Sequence, residues 1–196
     1  MTNPLPTEPP IDDLNRVQIL AAMGMTAIAL FLVARLWLFF FRTDLLAVQW
    51  SGLSVLLGVG LGVGITAASS LIYYLWDGYR RSADFYLDLI LRPLAWPDLI
   101  WLGLLPGLSE ELLFRGVMLM SLGFNGPALV LSSICFGVLH FSGSQHWSYV
   151  IWATVIGFVL GYSAIATGNL LVPIVAHITT NLISSLAWKL KMLNAL

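Results

Sequence analysis

Three charged residues lie in the middle of an apolar stretch of this sequence. The run PGLSEELLFRG places Glu110, Glu111 and Arg115 among leucine, glycine and phenylalanine. Each charge at the centre of a membrane helix costs about 2.5–3.5 kcal/mol, so three together indicate a purpose. Successive helical residues differ in direction by about 100°, so the two acids point different ways. Glu111 and Arg115, four residues apart, are expected to form an ion pair, which leaves Glu110 free to face a cavity.

Two further pairs of polar or aromatic residues lie in later apolar runs. SSICFGVLHFSG places Phe136 and His140 one helical turn apart, and VPIVAHITTNLI does the same for His177 and Asn181. Polar side chains stacked inside a membrane need a hydrogen-bonding partner or a water-filled cavity. Their depths along the proposed helices are similar enough for one polar site shared with the acidic pair. The alternative is that the three charged residues are a polar cluster that only holds helices together.

The three runs resemble the signatures of the CPBP intramembrane proteases, in the order found in that family. The family is named for CAAX proteases and bacteriocin-processing enzymes and is often called Abi. EELLFR at residues 110–115 resembles EExxxR, FGVLH at 136–140 resembles FxxxH, and HITTN at 177–181 resembles HxxxN. The resemblance covers about residues 100–190, roughly the C-terminal half of the chain.

This resemblance implies an intramembrane endopeptidase and a role for each motif residue. Glu110 with His140 would activate a water to attack a peptide carbonyl, while His177 and Asn181 would stabilise the oxyanion. Arg115 would keep its acidic partner ionised and oriented. The chemistry is suitable, because a shielded carboxylate and imidazole suit general base catalysis and N–H groups are competent oxyanion donors.

Metal dependence is left open by the residue types. Glu110, His140 and His177 would make a three-ligand zinc site with a water in the fourth position. The family has carried a metalloprotease label, yet its CAAX-processing members look metal-independent, and no HExxH occurs here. We therefore expect that no cofactor is required, with zinc as the alternative.

The composition predicts an all-α, polytopic membrane protein that positions these residues. Of the 196 residues, 59% are hydrophobic and only 10% are charged, against roughly 25% charged in soluble domains. The apolar runs predict about six transmembrane helices, near 17–41, 50–76, 97–122, 126–141, 148–167 and 170–190. In the second run, two glycine pairs have the spacing that lets membrane helices approach closely: Gly58 with Gly62, and Gly60 with Gly64.

The polar residues divide the chain into four parts. Residues 1–16 are expected to be a flexible polar tail, 17–76 two transmembrane helices, 77–96 an interfacial amphipathic connector, and 97–191 a CPBP-like catalytic core of four helices. The connector prediction depends on charged residues at intervals of four, namely Arg80, Asp84, Asp88 and Arg92. The first residues lack the basic region and cleavage site of a signal peptide. Basic residues flanking the helices favour both termini in the cytoplasm.

Several functional classes are disfavoured. A net charge of −1 does not provide the excess of positive charge that is typical of proteins that bind nucleic acid. No GxSxG elbow or internal repeat supports a serine protease or a transporter. The expected partners are membrane lipid and a membrane-associated or lipidated peptide or protein substrate. The rival interpretation is a non-proteolytic protein of the same fold, acting as an assembly factor, an immunity protein or a subunit of a larger membrane complex.

Overall fold

Helices make up nearly all of the secondary structure in residues 14–194, the part of the chain that the computed structural model describes. In order they are α1 (Arg16–Phe41), α2 (Gly52–Leu75), α3 (Asp77–Leu91), α4 (Trp96–Ser121), α5 (Gly126–Val138), α6 (Trp147–Thr167) and α7 (Leu171–Leu193). No strand occurs within these residues. The all-α prediction is therefore confirmed. Of the predicted N-terminal tail, residues 1–16, the first 13 lie outside the described residues.

Fewer helices are long enough to cross a membrane than the six predicted. α1, α2, α6 and α7 are long and apolar enough to span a membrane, and α4 gives a fifth span if it is counted together with α3, to which it is bent by 113°. α5 has 13 residues, or about 20 Å at 1.5 Å per residue, against a hydrocarbon core of about 30 Å. All six predicted runs are helical, but the fourth is too short to cross unaided.

Lipid-facing surface is evident on the first two helices. Large apolar side chains are widely exposed there, including Phe39, Phe40, Leu53 and Leu56. Soluble monomers rarely expose such continuous apolar surface. Together with the lengths of the helices, this makes the chain an integral membrane protein.

Local residue chemistry determines where several helices begin and end. Asn15 and Gln18 form a reciprocal capping box at the start of α1. Asn125 accepts a hydrogen bond from the backbone N–H of Ala128 at the start of α5, and Pro127 occupies the first turn. α6 ends at Gly168, whose φ of 59° is in the left-handed region.

α4 contains a wide turn in its second half. A 3₁₀ turn (Trp96–Asp98) leads into α-helix (Leu99–Glu111), which continues as a π-helix (Leu112–Met118) and a final α-helical turn. The backbone N–H of Leu119 donates to the carbonyl of Phe114, five residues back. Carbonyls of the wide turn also bond outside α4: Phe114 accepts from the Ser132 hydroxyl and Gly116 from the Leu46 N–H, both at 3.0 Å.

One of the two predicted glycine pairs packs helices together. A Cβ at Gly58 would lie 2.6 Å from Val175 Cβ of α7, and one at Gly62 would lie 2.6 Å from the Ala176 carbonyl oxygen. Both glycines therefore let α2 approach α7 closely. Gly60 and Gly64 have nothing within 4 Å of such a Cβ, so the prediction that they pack in the same way is wrong: they lie away from α7.

Not all of the charged residues of α3 pair with a residue four positions away. Arg92 bonds Asp88 at 2.8 Å, as the spacing predicts, but Arg80 bonds Asp77 at 2.6 Å. Asp84 accepts from the Tyr73 hydroxyl of α2 at 2.7 Å. α3 is thus an amphipathic helix tied to α2 at one end of the bundle.

Candidate active site

Glu111 is the most enclosed carboxylate of the site, with no solvent-exposed surface. Its Oε1 accepts hydrogen bonds from Arg115 Nη1 and from His177 Nδ1, each at 2.7 Å. The first confirms the ion pair predicted from the spacing of four residues. The second was not predicted, since it joins α4 to α7 across 66 residues of sequence.

The guanidinium of Arg115 is also buried and held on three sides. Nη2 donates to the Gly157 carbonyl of α6 at 3.1 Å, and the guanidinium carbon lies 4.3 Å from the centre of the Phe136 ring. Hydrogen bonds and a cation–π contact offset part of the cost of burying this charge. Phe136, the first residue of the second motif, thus contacts the Arg115 guanidinium and also the imidazole of His140, with the two ring centres 4.9 Å apart.

Glu110 points away from this ion pair, towards His140. The closest approach is 4.0 Å, between Glu110 Oε2 and His140 Nε2. This is too long for a direct hydrogen bond. Glu110 Oε2 is buried and has no hydrogen-bond partner among residues 14–194, although the side chains of Glu110 and His140 keep 16% and 27% of their surface exposed.

The contact made by the other ring nitrogen of His140 determines the tautomer of its neutral form. Nδ1 lies 2.8 Å from the Phe136 carbonyl oxygen. A carbonyl can only accept, so Nδ1 carries a proton, and in the neutral ring Nε2 is then an acceptor. With a neutral imidazole, the two atoms that face each other across the gap of 4.0 Å are both acceptors.

A cavity of about 70 Å³ brings three of the four proposed catalytic residues together. His140, His177 and Asn181 all line it. Glu110 is absent from the cavity wall and reaches this region through its carboxylate, beside His140. The cavity has room for water, since one water molecule needs about 10–15 Å³ of such space. The remaining wall is largely aromatic and aliphatic and includes Tyr79, Phe136, Tyr149, Trp152, Ile156 and Leu160.

Aromatic residues of α3 and α6 are the part of the site that sequence reasoning missed. Tyr79 stacks on Tyr149 with ring centres 6.1 Å apart. Tyr86 donates a hydrogen bond of 2.9 Å to the His140 carbonyl and also contacts the Ser142 hydroxyl. α3, predicted only as a surface connector, thus forms one wall of the cavity. The positions of its tyrosines on the helix face opposite the charges were the available signal.

The proposed zinc ligands do not fit a metal as the structure places them. Ligand atoms on a tetrahedral zinc lie about 3.4 Å apart, whereas Glu110 and His140 approach only to 4.0 Å. Within residues 14–194, no three His, Cys, Asp or Glu side chains are grouped closely enough to hold a metal ion.

The helices and this polar cluster define a polytopic membrane protein with the three CPBP motifs facing one another in its interior. Residues 92–183, which contain all seven residues named in the three motifs, match the family described as type II CAAX prenyl endopeptidase Rce1-like. The matched segment makes up a little less than half of the chain, and the match confirms the resemblance to the CPBP family seen in the motifs.

Comparison with individual proteins adds one relative. The chain is similar to the uncharacterized protein YpbD of Bacillus subtilis (strain 168), with 42% identity over 81 residues. The match covers 41% of this chain and 40% of the relative, so it spans less than half the length of either protein. No solved structure matches the chain.

Proposed function

We propose that this protein is an intramembrane endopeptidase that uses Glu110 and His140 to activate a water for hydrolysis of a peptide bond near the membrane. The observation that carries the proposal is the gap of 4.0 Å between Glu110 Oε2 and His140 Nε2. A water oxygen about 2.8 Å from each atom would see them at an angle of roughly 90°. Such a water donates one hydrogen to each acceptor and turns its lone pairs to the cavity.

The reaction then follows ordinary acyl-transfer chemistry. Glu110 takes one proton from the water while the water oxygen attacks the carbonyl carbon. His140 holds the water through the second hydrogen of the water. The carbonyl oxygen becomes an oxyanion. When the intermediate collapses, the C–N bond breaks and the departing amine takes the proton from Glu110.

Asn181 and His177 are the proposed oxyanion donors. Asn181 carries two N–H bonds on Nδ2, so one can reach the oxyanion while the other stays bound to protein. His177 already donates from Nδ1 to Glu111, and can therefore donate from Nε2 only as an imidazolium. Two anionic carboxylates, the Arg115 guanidinium and this imidazolium would make the site neutral overall, which favours its burial.

The test is cleavage by purified protein in proteoliposomes. Two tethered probes are a peptide with a prenylated C-terminal cysteine and an unlipidated transmembrane peptide of the same flanking sequence. Glu110→Gln keeps the size of the side chain but removes the base, and we expect its rate to fall by about 10²-fold or more. Asp77→Asn is the control, because Asp77 lies on the exposed side of α3 with Arg80.

Three results would decide between functions. Cleavage by the wild type and the control, but not by the Glu110 variant, supports the proposal. Activity retained by Glu110→Gln removes the proposed base. A wild type that cleaves neither probe and is recovered in stable association with another membrane protein favours the non-proteolytic alternative. The relative cleavage of the two probes reports whether a lipid on the substrate is required.

We also propose that both termini face the cytoplasm. Arg16, the arginines of α3 and the lysines near the end of α7 would then lie on the cytoplasmic side, in accordance with the positive-inside rule.

A further inference from the structure

Pro106 lies inside the α-helical part of α4, one turn before Glu110. Proline has no backbone N–H, so it cannot make the bond to the residue four positions earlier, which is Leu102. The proline ring also pushes that carbonyl away from the helix axis. A carbonyl left without its helical donor inside a membrane needs another partner.

The carbonyl of Leu102 finds that partner in the site. Asn181 Nδ2 donates to it at 3.3 Å, across the interface between α4 and α7. Asn181 itself lines the cavity with His140 and His177. One N–H of the side-chain amide is therefore bonded to the Leu102 carbonyl, which Pro106 leaves without a helical donor. The second N–H of the amide remains available to a group in the cavity.

The packing of α4 on α7 makes this contact geometrically feasible. A Cβ at Gly103 would lie 2.7 Å from Leu182 Cγ, and a Cβ at Gly107 would lie 2.5 Å from Ile178 Cγ1. Glycine at both positions lets the backbones of the two helices approach on either side of Pro106. Asn181 lies on α7 between the two side chains that these glycines accommodate.

We infer that Pro106 is a positioning residue for Asn181, acting through the carbonyl of Leu102. The inference rests on the proposed function only where it concerns catalysis. The hydrogen bond itself can be tested without any substrate. Replacing Pro106 by alanine supplies the missing N–H, returns the Leu102 carbonyl to its helix and releases Asn181.

The substrate-free test is a double-mutant cycle measured as thermal unfolding midpoints in detergent. The four proteins are the wild type, Pro106→Ala, Asn181→Ala and the double variant. We expect Asn181→Ala to lower the midpoint when residue 106 is proline, because the Leu102 carbonyl loses its donor. It should change the midpoint little when residue 106 is alanine. Equal decreases in both backgrounds would overturn the inference.

The catalytic test uses whichever tethered peptide the wild type cleaves. We expect Pro106→Ala to lower kcat by about 10- to 100-fold with KM changed less than about twofold, as for a misplaced oxyanion donor. Pro127→Ala, at an exposed proline in the first turn of α5, is the control and should keep the wild-type rate. An unchanged kcat in Pro106→Ala contradicts the inference. Pro106→Gly, which also restores an N–H, replaces the alanine variant if that does not fold.

The two tests separate the inference from the proposed function. If the wild type cleaves no probe, the proposed function fails while the unfolding cycle still decides whether Pro106 and Asn181 are coupled. If kcat falls but the unfolding effects are additive, the loss of activity has another cause and the positioning role is wrong.

Discussion

Glu111 and His177 are joined by a hydrogen bond of 2.7 Å between Oε1 and Nδ1, which connects two helices at the centre of the site. The same oxygen accepts from Arg115. A single buried carboxylate thus orients both a proposed catalytic imidazole and its own counter-ion.

Removing the charge of Glu111 should be costly for folding. We expect Glu111→Gln to lower the free energy of unfolding by about 3–5 kcal/mol, because the buried guanidinium of Arg115 loses its counter-charge. Asp88→Asn is a matched control: Asp88 and Arg92 are also four residues apart on one helix, but both side chains are exposed. It should cost at most about 0.5 kcal/mol. Denaturant titration in detergent gives both values, and equal costs would contradict the importance of burial.

The hydroxyl of Tyr86 should stabilise the position of His140. Tyr86→Phe removes the bond to the His140 carbonyl and the contact with Ser142. We expect a loss of about 1 kcal/mol in unfolding free energy and slower cleavage of the tethered peptide. Tyr74→Phe is the control, since Tyr74 is 78% exposed on α2. If the two variants behave alike in both assays, α3 has no role in holding the catalytic histidine.

The glycines of α2 should respond in opposite directions to the same substitution. Gly58→Ala places a Cβ against Val175, and we expect overpacking to cost about 1–3 kcal/mol. Gly60→Ala meets open space and should stabilise the helix by about 0.5–1 kcal/mol. Unfolding midpoints of the two variants measure the difference. A loss at position 60 as large as that at position 58 would mean that both glycines face a partner helix.

Orientation in the membrane can be checked by labelling single cysteines. Cys135 is the only cysteine of the chain, so Cys135→Ala supplies the background. We expect an impermeant maleimide to label Arg81→Cys, on α3, only from the cytoplasmic side. Trp50→Cys, between α1 and α2, should react only from the opposite side. Labelling of both positions from one side would contradict the proposed orientation.

Features that depend on local spacing were predictable from the sequence. The helices follow from the apolar runs, and the Glu111–Arg115 pair follows from its interval of four residues. The separation of Glu110 from that pair follows from the 100° between neighbouring helical residues. Each of these depends on one helix alone.

Features that depend on how helices meet were not predictable in the same way. Gly58 and Gly60 belong to pairs of identical spacing, and only tertiary packing decides which one faces α7. The bond from Asn181 to the Leu102 carbonyl requires the proline of one helix and the amide of another to meet. The aromatic wall from α3 depends on the bend of 113° between α3 and α4, which no repeating pattern in the sequence records.

The wide turn Leu112–Met118 makes two backbone carbonyls of α4 available to other parts of the chain. A π-helical turn holds more residues than an α-helical one, so it accommodates an additional residue without turning the helix beyond it. Deleting one residue here would return the segment to ordinary α-helix, and helical N–H groups would then compete with Ser132 and Leu46 for the carbonyls of Phe114 and Gly116. At this turn, the number of residues rather than their identity determines which donors these carbonyls meet.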